Sequence, residues 1–509
     1  MINFEKNLQE SNDEDVKQKV VVWLDFDAYA YITFGIITEL SKIGDFDFIG
    51  IVTTKQDMEF FQKQKIVKFK ELFYYPDCYI NNNSYNIENL KRFEDEYELD
   101  LWLDLYTERS FYKYWVDFYQ FSKEEIFSIT ENTLKFIEDI FKKNNPKLVL
   151  MQFVGENISN LLLYRIAKKM NIRIMMPHVS YIQDKIIMTD NFTGNEILNE
   201  YQKNLVNMKD DSEKYSEQFI KKNYVSKTFD IILDYNYKPT FFQKIKHIIK
   251  RLNSEPEPIY KNFGKSKFKM LKYRVINYFR IRNREKFLDK NTIKKIKNEK
   301  FIYFPLSTEP ESYKLITTPF LSNQLVLVEN IAKSIPGEMI LYVKEHPVQK
   351  MKSWRSINDY KKFMNIPNVK FIHPSVNSQE LISKSQAVIT AGGATGFETL
   401  FHKKPVIIFS DEHYEKLDMV TKISNFSDLS KKIKTSLKNF TYKNNQINAL
   451  MKAYEKQCIS VPLASITKDG ISLSAIQRYE NNFEMTLANF EKFCSSYQKF
   501  FRLMAEKCI

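Results

Sequence analysis

The stretch AVITAGGATGFETLF, residues 387–401, decides the fold class of this chain. It starts as a short apolar run, passes through a glycine-rich loop and ends in a helical pattern. Three of the chain's 11 glycines, Gly392, Gly393 and Gly396, fall within five positions. A loop that joins a strand to a helix points free backbone N–H groups and the positive end of the helix dipole at an anion. We therefore predict that these glycines, with the Thr395 hydroxyl, hold a nucleotide phosphate.

The loop is neither a Walker loop, because no Gly-Lys-Ser/Thr follows, nor a GxGxxG fingerprint. A glycine turn that only allows tight packing of the strand against the helix remains an alternative. One turn into the helix, Glu398 could accept hydrogen bonds from ribose hydroxyls or could respond only to the helix dipole.

Strands and helices alternate on both sides of this stretch. FIYF (301–304), ILYV (340–343), VKFI (369–372) and PVIIF (405–409) predict strands of a Rossmann-like domain over residues 301–440. The same alternation follows VVVWL at 20–24, FDFIGIVTT at 46–54, KLVLMQFVG at 147–155 and IRIMMP at 172–177. It predicts a first Rossmann-like domain over residues 1–238, because strand, helix and strand at this spacing form a parallel sheet.

The positive charge is concentrated between the two domains. Residues 241–300 hold 19 Lys or Arg against 5 Asp or Glu, whereas the whole chain carries +13, so the remainder is close to neutral. We interpret residues 239–300 as a basic inter-domain segment and residues 441–509 as a helical tail. The basic segment forms solvated helices or contacts an anionic membrane through its Tyr and Phe side chains. Nucleic acid is a weaker alternative.

The cysteines, the N-terminus and the apolar runs bear on the location of the protein and on its metal content. The four cysteines show no CxxC spacing, the acidic N-terminus is not that of a signal peptide, and no run of about 18 apolar residues occurs. We expect a cytoplasmic protein, in peripheral contact with the inner face of the membrane, without a structural zinc and without a cofactor.

Two more loops follow strands of the second domain. YVKEHP places Lys344, Glu345 and His346 at the end of one strand, where a histidine can donate a hydrogen bond or a proton to a leaving phosphate. FIYFPLSTEPES places Ser307, Thr308, Glu309 and Glu311 after another strand. Because the carboxyl ends of parallel strands share one edge of a sheet, these loops and the glycine loop converge. We interpret His373 in KFIHPS, a second His-Pro at a strand end, as structural.

YFPL with EPE, YVKEHP, TGFETL and KKPVIIF, in this order, resemble the bacterial capsule polysaccharide biosynthesis glycosyltransferases. These are similar to Kdo transferases and bacterial sialyltransferases, and the resemblance spans residues 301 to about 414. It implies the GT-B fold, two Rossmann-like domains facing across a cleft, with the nucleotide of a sugar donor bound by the second.

The resemblance also implies roles for individual residues. His346 would contact the donor phosphate, and Gly393, Thr395 and Gly396 would hold it, with Glu398 following. Ser307 departs from the family pattern, which has His or Gln there.

In the first domain, the resemblance implies an acidic catalytic residue that no motif identifies. Glu156, in VGEN after a predicted strand, is our first candidate; Asp27, with Asp25 in LDFDAY, is the second. Read as a DxD metal motif, Asp25 and Asp27 would instead indicate a metal-dependent GT-A enzyme, which the rest of the chain does not resemble. His178 in MMPHVSY is a further candidate.

The sequence thus predicts a metal-independent glycosyltransferase that moves a sugar from a nucleotide donor, CMP- or UDP-linked, to a capsular or lipid-linked glycan. Lys344, Glu311 and Gly392 join the donor-binding set. A teichoic-acid-type phosphoalcohol transferase and a non-enzymatic adaptor for membrane or nucleic acid are the alternatives; a nucleotide-sugar 2-epimerase fits the basic segment and the tail less well.

Overall fold

The computed structural model describes residues 17–25, 27–80, 84–112, 118–152, 157–192, 194–209, 212–213, 215, 217–218, 260, 263–309, 312–352, 354–480 and 482–509. The strands described are β1 Gln18–Leu24, β2 Phe46–Val52, β3 Phe69–Tyr74, β4 Leu148–Leu150, β5 Arg173–Val179, β6 Lys185–Thr189, β7 Phe301–Pro305, β8 Ile340–Lys344, β9 Val369–Ile372, β10 Ala387–Thr390, β11 Val406–Ile408, β12 Val420–Lys422 and β13 Ile459–Ser460.

The helices of the described residues connect these strands. They are α1 Ala28–Leu40, α2 Lys55–Lys63, α3 Asp77–Ile80, α4 Ile87–Tyr97, α5 Leu101–Leu105, α6 Lys123–Asn144, α7 Ile158–Lys169, α8 Asn195–Val206, α9 Lys267–Asn291, α10 Ser312–Thr317, α11 Gln324–Ser334, α12 Ile357–Met364, α13 Ser378–Lys384, α14 Ala394–Phe401, α15 Leu429–Lys438, α16 Asn444–Gln457, α17 Leu463–Glu480 and α18 Phe483–Glu506.

The first sheet has the order β13-β6-β5-β4-β1-β2-β3. Strands β1 to β5 run parallel; at one end of the sheet β6 pairs antiparallel to β5, and β13 pairs antiparallel to β6. The central strand β1 reads QKVVVWL, and its last five side chains are all buried. A strand covered by helices on both faces must be apolar along its length, which is why β1 shows no alternation.

The second sheet has the order β12-β11-β10-β7-β8-β9 and is parallel throughout. From β7 the chain builds outward through β8 and β9, then returns to the other side of β7 with β10. The strand order therefore reverses between β7 and β10, and ligands of such sheets bind in the crevice at that point. The glycine loop that follows β10 lies at this crevice. The predicted fold, two Rossmann-like parallel sheets, is confirmed.

The two sheets face each other through their carboxyl edges. Tyr181, two residues after β5, donates a hydrogen bond of 2.8 Å to Glu412, four residues after β11. Beside this contact α8 packs on α16, and the two domains share an apolar cluster that includes Ile187, Tyr201 and Phe397.

Helix α9 lies in the basic segment and connects the domains. Near its beginning the Tyr273 ring contacts that of Phe118 in the first domain, with centroids 5.4 Å apart. Near its end Leu288 is buried in the core of the second domain. The part of the segment before residue 260 lies outside the described residues.

The helical tail is confirmed, and its last two helices complete the first domain. Helices α17 and α18 both pack on α1, where Phe501 approaches Gly35 so closely that a side chain at Gly35 would clash. Phe490, Phe493 and Phe501 belong to the same apolar core as β1.

Helix α6 is a long helix of 22 residues, Lys123–Asn144. It begins at Lys123 because Ser122 and Glu125 form a capping box, each side chain bonded to the other's backbone N–H. Across the described residues, no helix has the length and apolar character needed to cross a membrane.

Candidate active site

The reason why glycine is required differs among the three positions of the loop. Gly392 has φ +140°, and a Cβ there would overlap the side chains of Ser410 and Glu412. A Cβ at Gly396 would meet the hydroxyl of Tyr414. At Gly393, with φ +96°, a Cβ would enter open space. Protein atoms thus make the close approach that the sequence analysis attributes to a phosphate at Gly392 and Gly396, and only Gly393 faces space that a ligand could use.

A buried carboxylate occupies the backbone donor of this loop. Glu412, with 3% of its surface exposed, accepts 2.7 Å from the Gly393 N–H, 2.8 Å from the Ser410 hydroxyl and 2.8 Å from Tyr181. Burial raises the pKa of Glu412, and these hydrogen bonds oppose that rise. The start of α14 therefore already binds a carboxyl group, in the position where the sequence predicts a phosphate.

Lys344 and Glu398, which come from two separate motifs, meet in one buried cluster. Lys344 Nζ donates 2.7 Å to the Ser378 hydroxyl, and Glu398 accepts 2.5 Å from Gln379. Burial lowers the pKa of Lys344 to about 8, with Glu398 opposing the change. Burial raises the pKa of Glu398 to about 7, opposed by Gln379 and Lys344. A lysine and a glutamate that both titrate near neutral pH are typical of functional sites.

His346 is half-buried at the end of β8, as predicted. Its Nδ1 accepts a hydrogen bond of 3.2 Å from the Val348 N–H, which places the ring proton on Nε2. The carboxylate of the preceding Glu345 turns inward and binds the His346 N–H at 2.8 Å and Tyr360 at 2.9 Å. The backbone of His346 is therefore fixed from behind, so that the ring can present an N–H donor.

The loop after β7 is held by an arginine. Arg355 lies 2.5 Å from Glu309 and 3.0 Å from Glu345, and its guanidinium also donates 2.8 Å to the Ser307 carbonyl. Burial raises the pKa of Glu345, and Arg355 opposes the rise. The hydroxyl of Ser307 accepts from Lys314. Glu311 lies outside the described residues, and its predicted donor contact remains a prediction.

A cavity of about 450 Å³ opens beside this loop. Its lining includes Thr308, Glu309, Lys314 and Gln324 from the second domain and Tyr112 from the first. Its polar and charged lining, with contributions from both domains, suits a hydroxyl-rich substrate.

The two aspartates at the end of β1 differ strongly. Asp25 is 1% exposed and accepts hydrogen bonds from Asn157, Asn160, Gln152 and Thr53. Asp27 begins α1 with its side chain 44% exposed, 3.7 Å from Arg478. It has φ 63° and ψ −147°, a conformation nearly restricted to glycine and commonly found at functional sites. Of these two, only Asp27 has the exposure that a base acting on a substrate needs.

The structure gives less support to the other three candidate residues. Glu156 lies outside the described residues. Desolvation lowers the pKa of His178 to about 4. His373 lies 3.3 Å from Asp289 and bonds Ser375, in agreement with the structural role expected for it.

Three residues central to this geometry were missed by sequence analysis: Glu412, Arg355 and Gln379. Glu412 follows the apolar run PVIIF, so its place after a parallel strand was a usable signal. Arg355 and Gln379 act across the sheet through contacts between elements distant in sequence, and no local pattern marks them.

Part of the chain matches the model of a known protein family. Residues 234–441, about two fifths of the chain, match the model of the capsule polysaccharide biosynthesis protein family. A search of curated proteins found no match.

Solved structures give only weak global likeness. The KpsC β-Kdo 2,7 transferase of Thermosulfurimonas dismutans is 13% identical, with 62% of this chain and 79% of that chain covered and a TM-score of 0.29. The β-Kdo 2,4 transferase of the same organism is 10% identical, with 62% and 85% covered and a TM-score of 0.30. UDP-GlcNAc 2-epimerase of Methanocaldococcus jannaschii is 14% identical, with 86% and 99% covered and a TM-score of 0.26. Scores this low assign no function.

The family match includes the three loops of the second carboxyl edge that carry the resemblance: the β7 loop, KEHP and the glycine loop. It confirms the resemblance seen in those motifs. Through residues 234–441, this chain is similar to the capsule polysaccharide biosynthesis protein family.

Proposed function

We propose that the protein is a glycosyltransferase of capsule biosynthesis that moves a sugar from a nucleotide donor to a glycan acceptor. The observation that carries the proposal is the convergence of His346, the Lys344–Glu398 cluster and the glycine loop at one carboxyl edge, within the segment that matches the family. The donor nucleotide lies at this edge and the acceptor enters from the first domain.

His346 carries the chemistry at the donor phosphate. A sugar leaves its nucleotide with negative charge developing on the phosphate oxygen. An N–H donor fixed beside that oxygen stabilises the charge in the transition state more than in the ground state. The Nε2 proton of His346, held in place by the Val348 contact to Nδ1, supplies such a donor.

Lys344 and Glu398 support the donor site from below. Lys344 is 4% exposed and Glu398 is 7% exposed, so neither presents much surface to a ligand. Their opposite charges lie together under the edge, and Glu398 would have to exchange its hydrogen bond from Gln379 to accept one from a ribose hydroxyl. The predicted contacts of Gly392, Gly393, Thr395 and Gly396 with the donor phosphate belong to the same proposal. Of the three glycines only Gly393 faces open space, and its N–H would exchange Glu412 for the phosphate.

The first domain supplies the base. Asp27 is the described carboxylate at its carboxyl edge whose exposure and backbone conformation suit removal of a proton from an acceptor hydroxyl. Glu156 stays the other candidate. A lipid-linked acceptor and peripheral contact with the inner face of the membrane complete the proposal.

Nucleotide binding tests the proposal first. Thermal shifts of the wild type with CMP, CDP, UDP and GDP are compared with those of Thr395→Tyr, which fills the mouth of the glycine loop. The matched control is Thr435→Tyr, on an exposed position of α15. Stabilisation by one nucleotide that Thr395→Tyr abolishes and Thr435→Tyr retains supports the donor site and identifies its base.

Transfer then completes the test. Release of the nucleotide from the matching nucleotide sugar in the presence of a capsular glycan supports a glycosyltransferase. A shift with CDP alone, without sugar transfer, supports the phosphoalcohol transferase. No shift with any nucleotide, and no release from any donor, contradicts both.

A further inference from the structure

The outward face of α9 is apolar, although it points away from the protein. Phe268 is 76% exposed, Val275 52% and Phe279 57%, with Leu271 and Tyr278 also exposed. In a helix, residues separated by three, four or seven positions lie on one face. Phe268, Leu271, Val275 and Phe279 have these separations and therefore form one strip along three turns, which we call the α9 strip together with Tyr278.

The opposite face of the same helix packs on both domains. Tyr273 contacts Phe118, Arg284 donates 3.2 Å to the Trp354 carbonyl, and Leu288 is buried. The helix is therefore held in one orientation, and the exposure of the α9 strip follows from the way the helix is fixed. A contiguous apolar surface on a fixed helix marks an interaction site.

The helix is also strongly basic. It carries nine Lys or Arg and two acidic residues, and each of these two pairs with a lysine outside the helix: Glu285 with Lys350, and Asp289 with Lys294. Arg282, Lys286 and Lys290 continue the outward side of the helix beyond the α9 strip, and Lys272 lies within the strip. The surface therefore presents apolar side chains bordered by positive charge.

This combination selects one partner among the anionic candidates. Nucleic acid would satisfy the cations and could stack on Phe and Tyr, but it offers nothing to the aliphatic Leu271 and Val275. An anionic bilayer satisfies both, because apolar side chains enter the boundary between headgroups and acyl chains while Lys and Arg contact the phosphates.

We propose that the α9 strip and its flanking basic residues dock the protein on an anionic phospholipid bilayer. The inference rests on the proposed function for its purpose, since a lipid-linked acceptor would then meet the enzyme at the membrane. Because α9 contacts both domains, docking through it fixes the orientation of the whole molecule rather than that of one domain.

Vesicle flotation tests the proposal with the full chain. The wild type is mixed with vesicles of pure phosphatidylcholine, or with vesicles containing equal parts of phosphatidylcholine and phosphatidylglycerol. We expect binding to the anionic vesicles and at least about tenfold weaker binding to the neutral ones, with a decline as salt rises. Equal binding to both, or none to either, overturns the proposal.

Two sets of variants separate the apolar and the basic contributions. The triple change Phe268→Ser, Val275→Ser and Phe279→Ser should weaken anionic vesicle binding at least about tenfold. So should the triple change Lys272→Glu, Arg282→Glu and Lys286→Glu. Exposed side chains elsewhere give matched controls: Phe320→Ser with Val206→Ser, and Lys431→Glu with Lys434→Glu and Lys438→Glu on α15.

Every other outcome is decisive as well. If the control variants lose vesicle binding to the same extent, the binding comes from the overall charge or from non-specific apolar contacts. This outcome contradicts the proposal. Displacement from vesicles by single-stranded DNA at equal salt would favour nucleic acid. If the α9 triple variant changes the sedimentation of a protein that binds no vesicle, the strip is an interface between copies of the chain.

The two proposals fail separately. Vesicle binding requires no nucleotide, and the nucleotide shift requires no lipid. A variant of the α9 strip that loses vesicles but keeps its nucleotide shift shows that the protein remains folded and that only docking is affected.

Discussion

The carboxyl edges of the two sheets follow the same plan but differ in their charged groups. The first edge holds carboxylates: Asp25 among amide donors and Asp27 near Arg478. The second holds Lys344 and His346 at the end of β8, beside the buried carboxyl groups of Glu345, Glu398 and Glu412. The topology places loops together, and the residues in those loops decide whether an edge accepts protons or stabilises negative charge.

The edges also differ in how their charges are compensated. Asp25 is surrounded by neutral groups that donate hydrogen bonds to it. On the second edge, burial lowers the pKa of Lys344 to about 8 and raises the pKa of Glu398 to about 7, and the attraction between the two groups opposes both shifts. The first edge therefore provides a fixed frame for one exposed carboxylate, whereas the second can change its charge in the working pH range. Four predictions test this contrast.

The largest effect is expected at the second edge. His346→Ala should reduce kcat/KM for sugar transfer by about 10²- to 10⁴-fold, because the donor to the leaving phosphate is lost. His373→Ala, at the neighbouring strand end, is the matched control and should retain activity. Steady-state transfer kinetics of the two variants check this. Similar activity in both would remove His346 from the mechanism.

At the first edge, Asp27→Asn should reduce kcat by about 10²-fold while the thermal shift by the donor nucleotide is unchanged, because only the base is lost. Asp25→Asn should instead lower stability by about 1–3 kcal/mol, because an amide would turn its N–H groups toward donors that need an acceptor. Kinetics and chemical denaturation of both variants separate the roles. A catalytic loss in Asp25→Asn at full stability would reverse the assignment.

Within the glycine loop, Gly392→Ala should cost about 2–5 kcal/mol of unfolding free energy, from its positive φ and the overlap with Ser410 and Glu412. Gly393→Ala should cost only about 1–2 kcal/mol, from its φ alone, because the added methyl group enters open space. Denaturant unfolding measures both. If Gly393→Ala also abolishes the nucleotide shift while Gly392→Ala retains it, the open space is the phosphate site.

The last expected effect is the pH dependence of the buried pair, which concerns stability rather than activity. The pKa of Glu398 is about 7 in the folded protein, whereas its ordinary value, which applies to the unfolded chain, is 4.5. Ionisation of Glu398 is therefore harder in the folded state. Stability should therefore fall as pH rises from about 4.5 to 7, by up to about 3 kcal/mol. Lys344, with its pKa lowered to about 8, should give the opposite slope, a gain between pH 8 and 10.5.

Glu398→Gln should abolish the fall, so that the variant gains melting temperature relative to the wild type at pH 7.5 but not at pH 4.5. Glu380→Gln, at an exposed site on α13, is the control and should track the wild type at both pH values. Parallel melting curves for Glu398→Gln and the wild type would show that the pair is not buried in solution.

Sequence reasoning reached the fold because apolar runs such as VVVWL and AVIT are long enough and regularly spaced. It also reached the convergence of KEHP with the glycine loop, since parallel strands share an edge. It could not find Glu412 as the partner of Gly393, nor decide between Asp25 and Asp27. Those facts depend on which side chain faces inward, and that is set by packing across the whole sheet rather than by neighbours in sequence.

The return of α17 and α18 to the first sheet has a consequence for synthesis on the ribosome. Helix α1 and strand β1 emerge early, but part of the apolar surface that they need comes from Phe490, Phe493 and Phe501, at the opposite end of the sequence. The strands described for the second domain lie between residues 301 and 422, so this domain can close first. We expect the first domain to stay incomplete, with exposed aromatic surface, until the last helices have been made. A nascent chain halted before α17 should therefore engage chaperones through its earlier half.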